Sequence, residues 1–282
     1  MNGRTSQQKN DRKGKSSYKP IVPAVEQTSK ILLCLGESPS FKMTLTDICR
    51  QVEIFKSKGF SILNTLSQFG LVDKDPQTKT YYLGPNLIFL SRHVLNNMEY
   101  PEMVTPFLDR LSKNTSGTAG FGLIRGSDVF IVAKREGNQG IGFTLGLGAR
   151  FHITSGAPGK AIAAWMSEIE REKLLAKKKL YFYGDPSRMD MKRLGEEIDQ
   201  CRDLGFAQDI GEVTPGVNIV SAPVFSLHKK IIGCIILVGT FSERTIKEYG
   251  PKVASIAQQV SHKLGAHVER VYKGANLSHT IG

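Results

Sequence analysis

Between Thr44 and Leu83 the chain fits a capped helix, a three-residue break, a second helix and two short alternating runs into 40 residues, an order that few folds accommodate. Thr44-Leu45-Thr46-Asp47 places a hydroxyl and a carboxylate where a helix N-terminus has free amides. Leu45, Ile48 and Val52 then supply a buried stripe at helical spacing. After Glu53-Ile54-Phe55, Ser57 reads as the N-cap of the next helix, with Ile62, Leu63 and Leu66 as its core face and Gly70 as its stop. Leu71 to Lys74 and Lys79 to Leu83 alternate around the turn Asp75-Pro76-Gln77-Thr78. Ahead of them, Val25, Ile31, Leu32 and Leu35 predict a helix that ends near Gly36 and Pro39. Three helices and a hairpin predict a winged helix-turn-helix over residues 21–84.

The remaining length calls for a second domain. Leu87, Phe89, Leu90, His93 and Val94 predict a linker helix within residues 85–100, with an apolar face suited to a second chain. Residues 101–275 mix helices and strands. The predicted order is a helix over Pro101 to Lys113, a hairpin around Arg125-Gly126-Ser127-Asp128 and helices over Gly159 to Met166 and near Met191 to Leu204. A hairpin from Ala222 to Gly239, turning at Leu227 to Lys230, follows, then a last helix from Pro251 to about Tyr272. The fold class is α+β. Residues 1–20 are too polar to offset ordering entropy and are expected as a disordered basic arm, and residues 276–282 as a tail.

The net charge of +12 hints at an anionic partner, but it is spread along the chain. Residues 1–20 carry six basic side chains against one acidic, whereas residues 21–84 carry seven against six. Charge alone therefore does not locate a nucleic-acid site. The basic arm reads either as a solvated tail or as a nonspecific phosphate contact.

Cys34, Cys49, Cys201 and Cys234 are widely spaced, with no CxxC and no neighbouring His to complete a metal site, and read as small core residues of a reducing compartment. The longest apolar run, Ile231 to Val238, is interrupted by Gly233 and falls well short of the roughly 18 residues of a membrane span. A cytoplasmic protein without membrane, metal or cofactor is expected.

No Ser, His and Asp set emerges for an enzyme. Gly159-Lys160-Ala161 lacks the Ser or Thr of a phosphate-binding loop, and Gly140, Gly142, Gly146 and Gly148 do not form a dinucleotide fingerprint. His152 is read as a positioning or core residue, with catalysis as the alternative. Thr154 to Gly159 precedes a helix, whose N-terminal amides and dipole favour an anion, so Gly156 and Ala157 are candidate contacts for a carboxylate. Pro158 removes one donor from that cradle.

Three stretches together resemble the IclR family of bacterial transcriptional regulators, from Val22 to about Lys273. They are Val22-Pro23-Ala24-Val25-Glu26 with the wing end Tyr81-Tyr82-Leu83-Gly84, the loop Gly156-Ala157-Pro158-Gly159-Lys160-Ala161, and Glu212 with Pro215-Gly216-Val217, Ala222-Pro223-Val224-Phe225 and Val238-Gly239. The resemblance implies a GAF-like effector-binding domain and self-association as a dimer or a dimer of dimers. It adds Asp209, Glu212, Asn218, Ile219, Ile236 and Val238 to the pocket. For Asp209 and Glu212 a solvated loop is the alternative. Apolar residues where several relatives carry Cys or Ser point to an aromatic or longer aliphatic organic acid as effector.

For a winged helix-turn-helix the recognition helix enters the major groove of double-stranded DNA by its N-terminal half. The candidates are Lys56, Ser57, Lys58, Phe60, Ser61 and Asn64, with Lys79 and Lys74 of the wing near the backbone. Two residues depart from the family pattern. Gly59 replaces a β-branched residue, an expected loss of about 0.5–1 kcal/mol of helix stability against Ala. Ser61 replaces an Arg and removes a charge-assisted phosphate contact. They leave open a sensor whose winged domain makes protein contacts instead.

Overall fold

The computed structural model describes residues 21–96, 99–137 and 145–272. The expected basic arm and the tail lie outside them. The chain divides into two compact units between Val94 and Leu95.

In the first unit α1 (Pro23–Glu37), α2 (Leu45–Val52) and α3 (Lys56–Gln68) precede the antiparallel hairpin of β1 (Val72–Lys74) and β2 (Tyr81–Leu83) and the start of α4 (Asn86–Asn96). Ile31, Leu35, Ile48, Leu63, Leu66, Val72 and Tyr81 form the core. The Thr44 hydroxyl accepts the Asp47 N–H at 3.2 Å, as its position ahead of the stripe requires. At the wing tip the Asp75 carboxylate accepts the N–H groups of Gln77 and Thr78, which closes the turn. Helix α3 begins two residues earlier than expected: Phe55 occupies the N-cap position without a side-chain cap, and Ser57 lies inside the first turn.

Gly59 has a packing role besides its cost to helix propensity. It is buried in the α2–α3 contact, where a Cβ would overlap the Cys49 sulfur and reach ordinary contact with Ile54 and Leu45. The helix propensity given up here permits a close helix crossing that a β-branched residue would prevent.

The second unit is a six-stranded antiparallel sheet in the order β5-β4-β3-β8-β7-β6, formed by β3 (Thr118–Arg125), β4 (Asp128–Arg135), β5 (Arg150–His152), β6 (Ala207–Ile210), β7 (Asn218–Phe225) and β8 (Ile231–Gly239). On one face α5 (Glu99–Lys113) and α9 (Glu243–Lys263) bury Val104, Leu108, Val253 and Ala257 against Phe121, Val220 and Leu237. The opposite face carries α6 (Gly156–Trp165) and α8 (Met191–Leu204), which bury Ala161, Leu194 and Ile198 with Ile131 and Ile236. Between them lies α7 (Glu168–Leu175), opened by a Ser167–Glu170 capping box. A last short helix, α10 (Val268–Val271), ends the described chain.

Two helix starts differ from expectation. Helix α6 starts a turn earlier, at Gly156, so Pro158 sits in the first turn, where its missing N–H costs nothing. Helix α9 starts at Glu243 behind the N-cap Ser242, whose hydroxyl accepts the Thr245 N–H, and carries Pro251 inside it. Gly265, with φ of 83°, separates it from α10.

Strand β7 outruns β6, whose pairing stops at Ser221. Beyond that point the Pro223 carbonyl accepts the Tyr272 hydroxyl at 2.5 Å, and the Phe225 N–H donates to Ser261 Oγ at 3.0 Å. Pro223 is tolerated because no ladder bond is asked of it on that side.

Candidate effector pocket and DNA-facing helix

Sheet register brings the expected pocket residues together. Asp209 of β6 is opposite Ile219 of β7, Ile219 is opposite Val238 of β8, and Val238 is opposite Thr118 of β3. One row across four strands therefore carries a carboxylate, two aliphatic side chains and a hydroxyl. Ile236, two residues from Val238, lies on the same face and packs into the core under α6.

Asp209 is 1% exposed. Its Oδ1 accepts the N–H of Glu212 at 2.8 Å and that of Val213 at 3.4 Å, while Oδ2 is buried with no hydrogen-bond partner. Burial, more than the nearby Glu212, pushes this carboxyl above its ordinary value, against the lowering effect of the two amides. The orphaned oxygen faces the start of α6, where a Cβ on Gly156 would come within 2.7 Å of it. Gly156, at φ of 48°, leaves that space open. Gly156 and Ala157 are both buried in this first turn. The Gly156 N–H is engaged by the Tyr181 carbonyl at 3.3 Å and the Gly159 N–H by the Ser155 carbonyl at 2.9 Å. The protein thus places its own carboxylate beside this helix N-terminus. Asn218 turns away, its amide donating to the Phe241 carbonyl.

Beside this row stands a charge ring that local sequence patterns do not reveal. Lys160 of α6 is 2% exposed. Its Nζ lies 2.7 Å from Glu212 Oε2 and 2.8 Å from Glu197 Oε2. Arg193 of α8 closes the ring, with Nε 2.9 Å from Glu197 Oε1 and Nη2 on Glu212 Oε1. Tyr183 stands at its centre: Lys160 Nζ and the Arg193 guanidinium lie 4.6 and 4.5 Å from the ring centroid, and its hydroxyl donates to Glu197 at 3.1 Å. Arg188 adds a hydrogen bond to the Glu212 carbonyl at 2.7 Å. Two cations and two carboxylates balance within the ring, and Lys160 offsets the charge of Asp209 less than burial opposes it. Glu212 anchors this ring rather than lining a solvated loop.

His152 braces the loop ahead of α6. Its Nδ1 accepts the Thr154 N–H at 3.3 Å and lies 2.7 Å from the Thr154 hydroxyl, which accepts the Tyr181 N–H at 3.1 Å. Burial, with Lys177 second, lowers the His152 pKa.

In the first unit Lys56, Ser57, Lys58, Phe60, Ser61 and Asn64 are all exposed on α3, and Lys79 is exposed at the wing tip. Lys74 lies over the Tyr81 ring at 5.1 Å. Helix α4 exposes Ile88, Phe89, Leu90 and Val94. Among the described residues no group of three or more His, Cys, Asp or Glu is placed to hold a metal ion, and no helix is long and apolar enough to cross a membrane.

Residues 92–262 match the family model "Bacterial transcriptional regulator IclR C-terminal". The HTH-type transcriptional regulator XynR of Escherichia coli K12 is 27% identical over 218 residues, 77% of this chain and 86% of that protein. BhcR of Paracoccus denitrificans, another HTH-type regulator, is 28% identical over 206 residues, 73% of each chain. The crystal structure of an IclR transcriptional regulator from Alicyclobacillus acidocaldarius shares the fold, with a TM-score of 0.74 at 23% identity over 87% of this chain and 100% of that one. These relatives are regulators of transcription and not enzymes. The chain belongs to the IclR family of bacterial transcriptional regulators.

Proposed function

We propose that this regulator acts in the cytoplasm as a self-associating protein that binds double-stranded DNA through α3 and the wing, and that a small organic acid in the second unit modulates that binding. The observation that carries the DNA reading is the exposure of every expected contact on α3 behind a closed winged-helix core. Lys56, Ser57, Lys58, Phe60, Ser61 and Asn64 face the groove, and Lys79 reaches the backbone.

The effector reading rests on the row Asp209–Ile219–Val238 with Ile236, Gly156 and Ala157 at its edge. Apolar floor and orphaned carboxylate oxygen suit an acid with an aromatic or longer aliphatic body and a hydroxyl that donates to Asp209 Oδ2. The amide end of α6 is already faced by Asp209, so the acid would meet this edge with its hydroxyl and hold its carboxylate away from it. The exposed apolar face of α4 would be covered by a second copy, as a dimer or dimer of dimers. Effector binding then biases two arrangements of that assembly and so the fit of the recognition helices to their half-sites.

A mobility-shift titration with the DNA upstream of the regulator's own gene tests the central reading. The wild type retards this DNA, and Lys56→Ala/Lys58→Ala binds it more weakly with a shallower salt dependence. Absence of any retardation at low salt overturns it and leaves the winged domain as a protein-contact surface. Calorimetry with 4-hydroxybenzoate and pyruvate tests the effector class. Tight pyruvate binding without binding of the aromatic acid overturns the apolar-pocket part.

A further inference from the structure

We infer that Phe60 sets the base preference of this regulator by reading thymine methyl groups, so that its half-sites carry A·T pairs under the N-terminal half of α3. The inference rests on the DNA-binding reading above and sharpens it.

Advancing by about 100° per residue, α3 puts Gly59, Leu63 and Leu66 at its back and Ser57, Ser61 and Asn64 at its front. Lys56 and Lys58 fall on opposite flanks of that front. A helix seated in the major groove is bordered by a phosphate strand on each side, so flanking lysines meet phosphates and the neutral front meets base edges. Phe60 lies between Lys56 and Asn64. It is 50% exposed and belongs to no part of its unit's apolar core. Beside it the Ser61 hydroxyl donates to the Ser57 carbonyl at 3.0 Å, which spends its one donor on the helix backbone.

The edges of base pairs in the major groove offer one apolar group, the thymine C5 methyl, and an exposed Phe matches it. Asn64, one turn further on, presents the amide that pairs with adenine N6 and N7. The front carries no Arg, the commonest partner of guanine O6 and N7. Aromatic and amide, side by side at the Lys56 edge of the neutral front, therefore favour A·T pairs over G·C there.

The test is selection from a random duplex library with the full-length protein, followed by replacement of single thymines in the enriched half-site by uracil, which keeps the pairing and removes only the methyl. Half-sites with A·T pairs at the protected centre are expected. At one of them uracil weakens the wild type about fourfold, the worth of one buried methyl, and leaves Phe60→Ala unaffected. Phe60→Ala folds normally by circular dichroism, since the side chain is outside the core. Enriched half-sites with G·C pairs at these positions, or an equal uracil effect in wild type and Phe60→Ala, overturn the inference while DNA binding stands. A library that yields no enriched DNA overturns the DNA-binding reading itself.

Discussion

Gly59 of α3 lies against the Cys49 sulfur of α2 so closely that a single added carbon has no room. Gly59→Ala is therefore expected to lower stability by about 1–3 kcal/mol, the usual cost of overpacking, although Ala is the better helix former. Cys49→Ala in the same chain recovers part of the loss, because the clash is with the sulfur. Thermal unfolding of the two single variants and the double variant reads the coupling, and strictly additive effects would exclude it.

Lys160 neutralises two carboxylates from a fully buried position. Lys160→Met should cost about 3–5 kcal/mol, because it leaves two carboxylates to share the single cation Arg193 rather than because the ring is worth that much. Adding Glu212→Gln returns a large share of the loss. Urea denaturation measures both, and a Lys160→Met variant as stable as the wild type would mean that the carboxylates find other partners.

Asp209 holds a buried oxygen without a donor, and its pKa is raised. A raised folded-state pKa stabilises only at low pH and penalises the fold as pH rises through it. Asp209→Asn keeps the acceptor for Glu212 and Val213 and removes the charge. Its Tm at pH 7 is expected to rise by about 2–4 °C, the shift that accompanies 1 kcal/mol in a domain of this size. Effector affinity falls at the same time. A lowered Tm would show that Asp209 is already compensated.

His152 works the other way. Its folded-state pKa is depressed, so its contribution to stability is complete above the unfolded value of about 6.5 and is lost as pH falls through the folded one. Protonation of Nδ1 also ends its acceptance of the Thr154 N–H. Stability measured from pH 7.5 to 5 should decline less steeply in His152→Gln than in the wild type, and parallel profiles would remove His152 from the account.

The first unit was readable because its signals are local: the Thr44 cap, the Asp75 turn and the α3 stripe each lie within a few residues of what they control. Pro251 misled for a local reason as well. A proline reads as a first-turn residue, whereas Ile246 and Tyr249 ahead of it face the core and extend α9 back to Ser242. Asp209, Ile219 and Val238 were named by resemblance, and strand register makes them neighbours. Only the Arg193–Glu197 pair of α8 has a short spacing; the ring as a whole was invisible because Lys160, Tyr183 and Glu212 reach that pair from other parts of the chain.

The bond from Tyr272 to the Pro223 carbonyl also bears on solubility. Past the end of β6, strand β7 would offer bare polar groups to any passing chain, and unpaired strand edges invite sheet-to-sheet association. Tyr272 and Ser261 occupy those groups, with Phe225 packed edge-on to the Tyr272 ring. The end of the described chain thus works as a guard on the sheet. A protein shortened ahead of Tyr272 should keep its winged helix intact and still self-associate along β7 into aggregates.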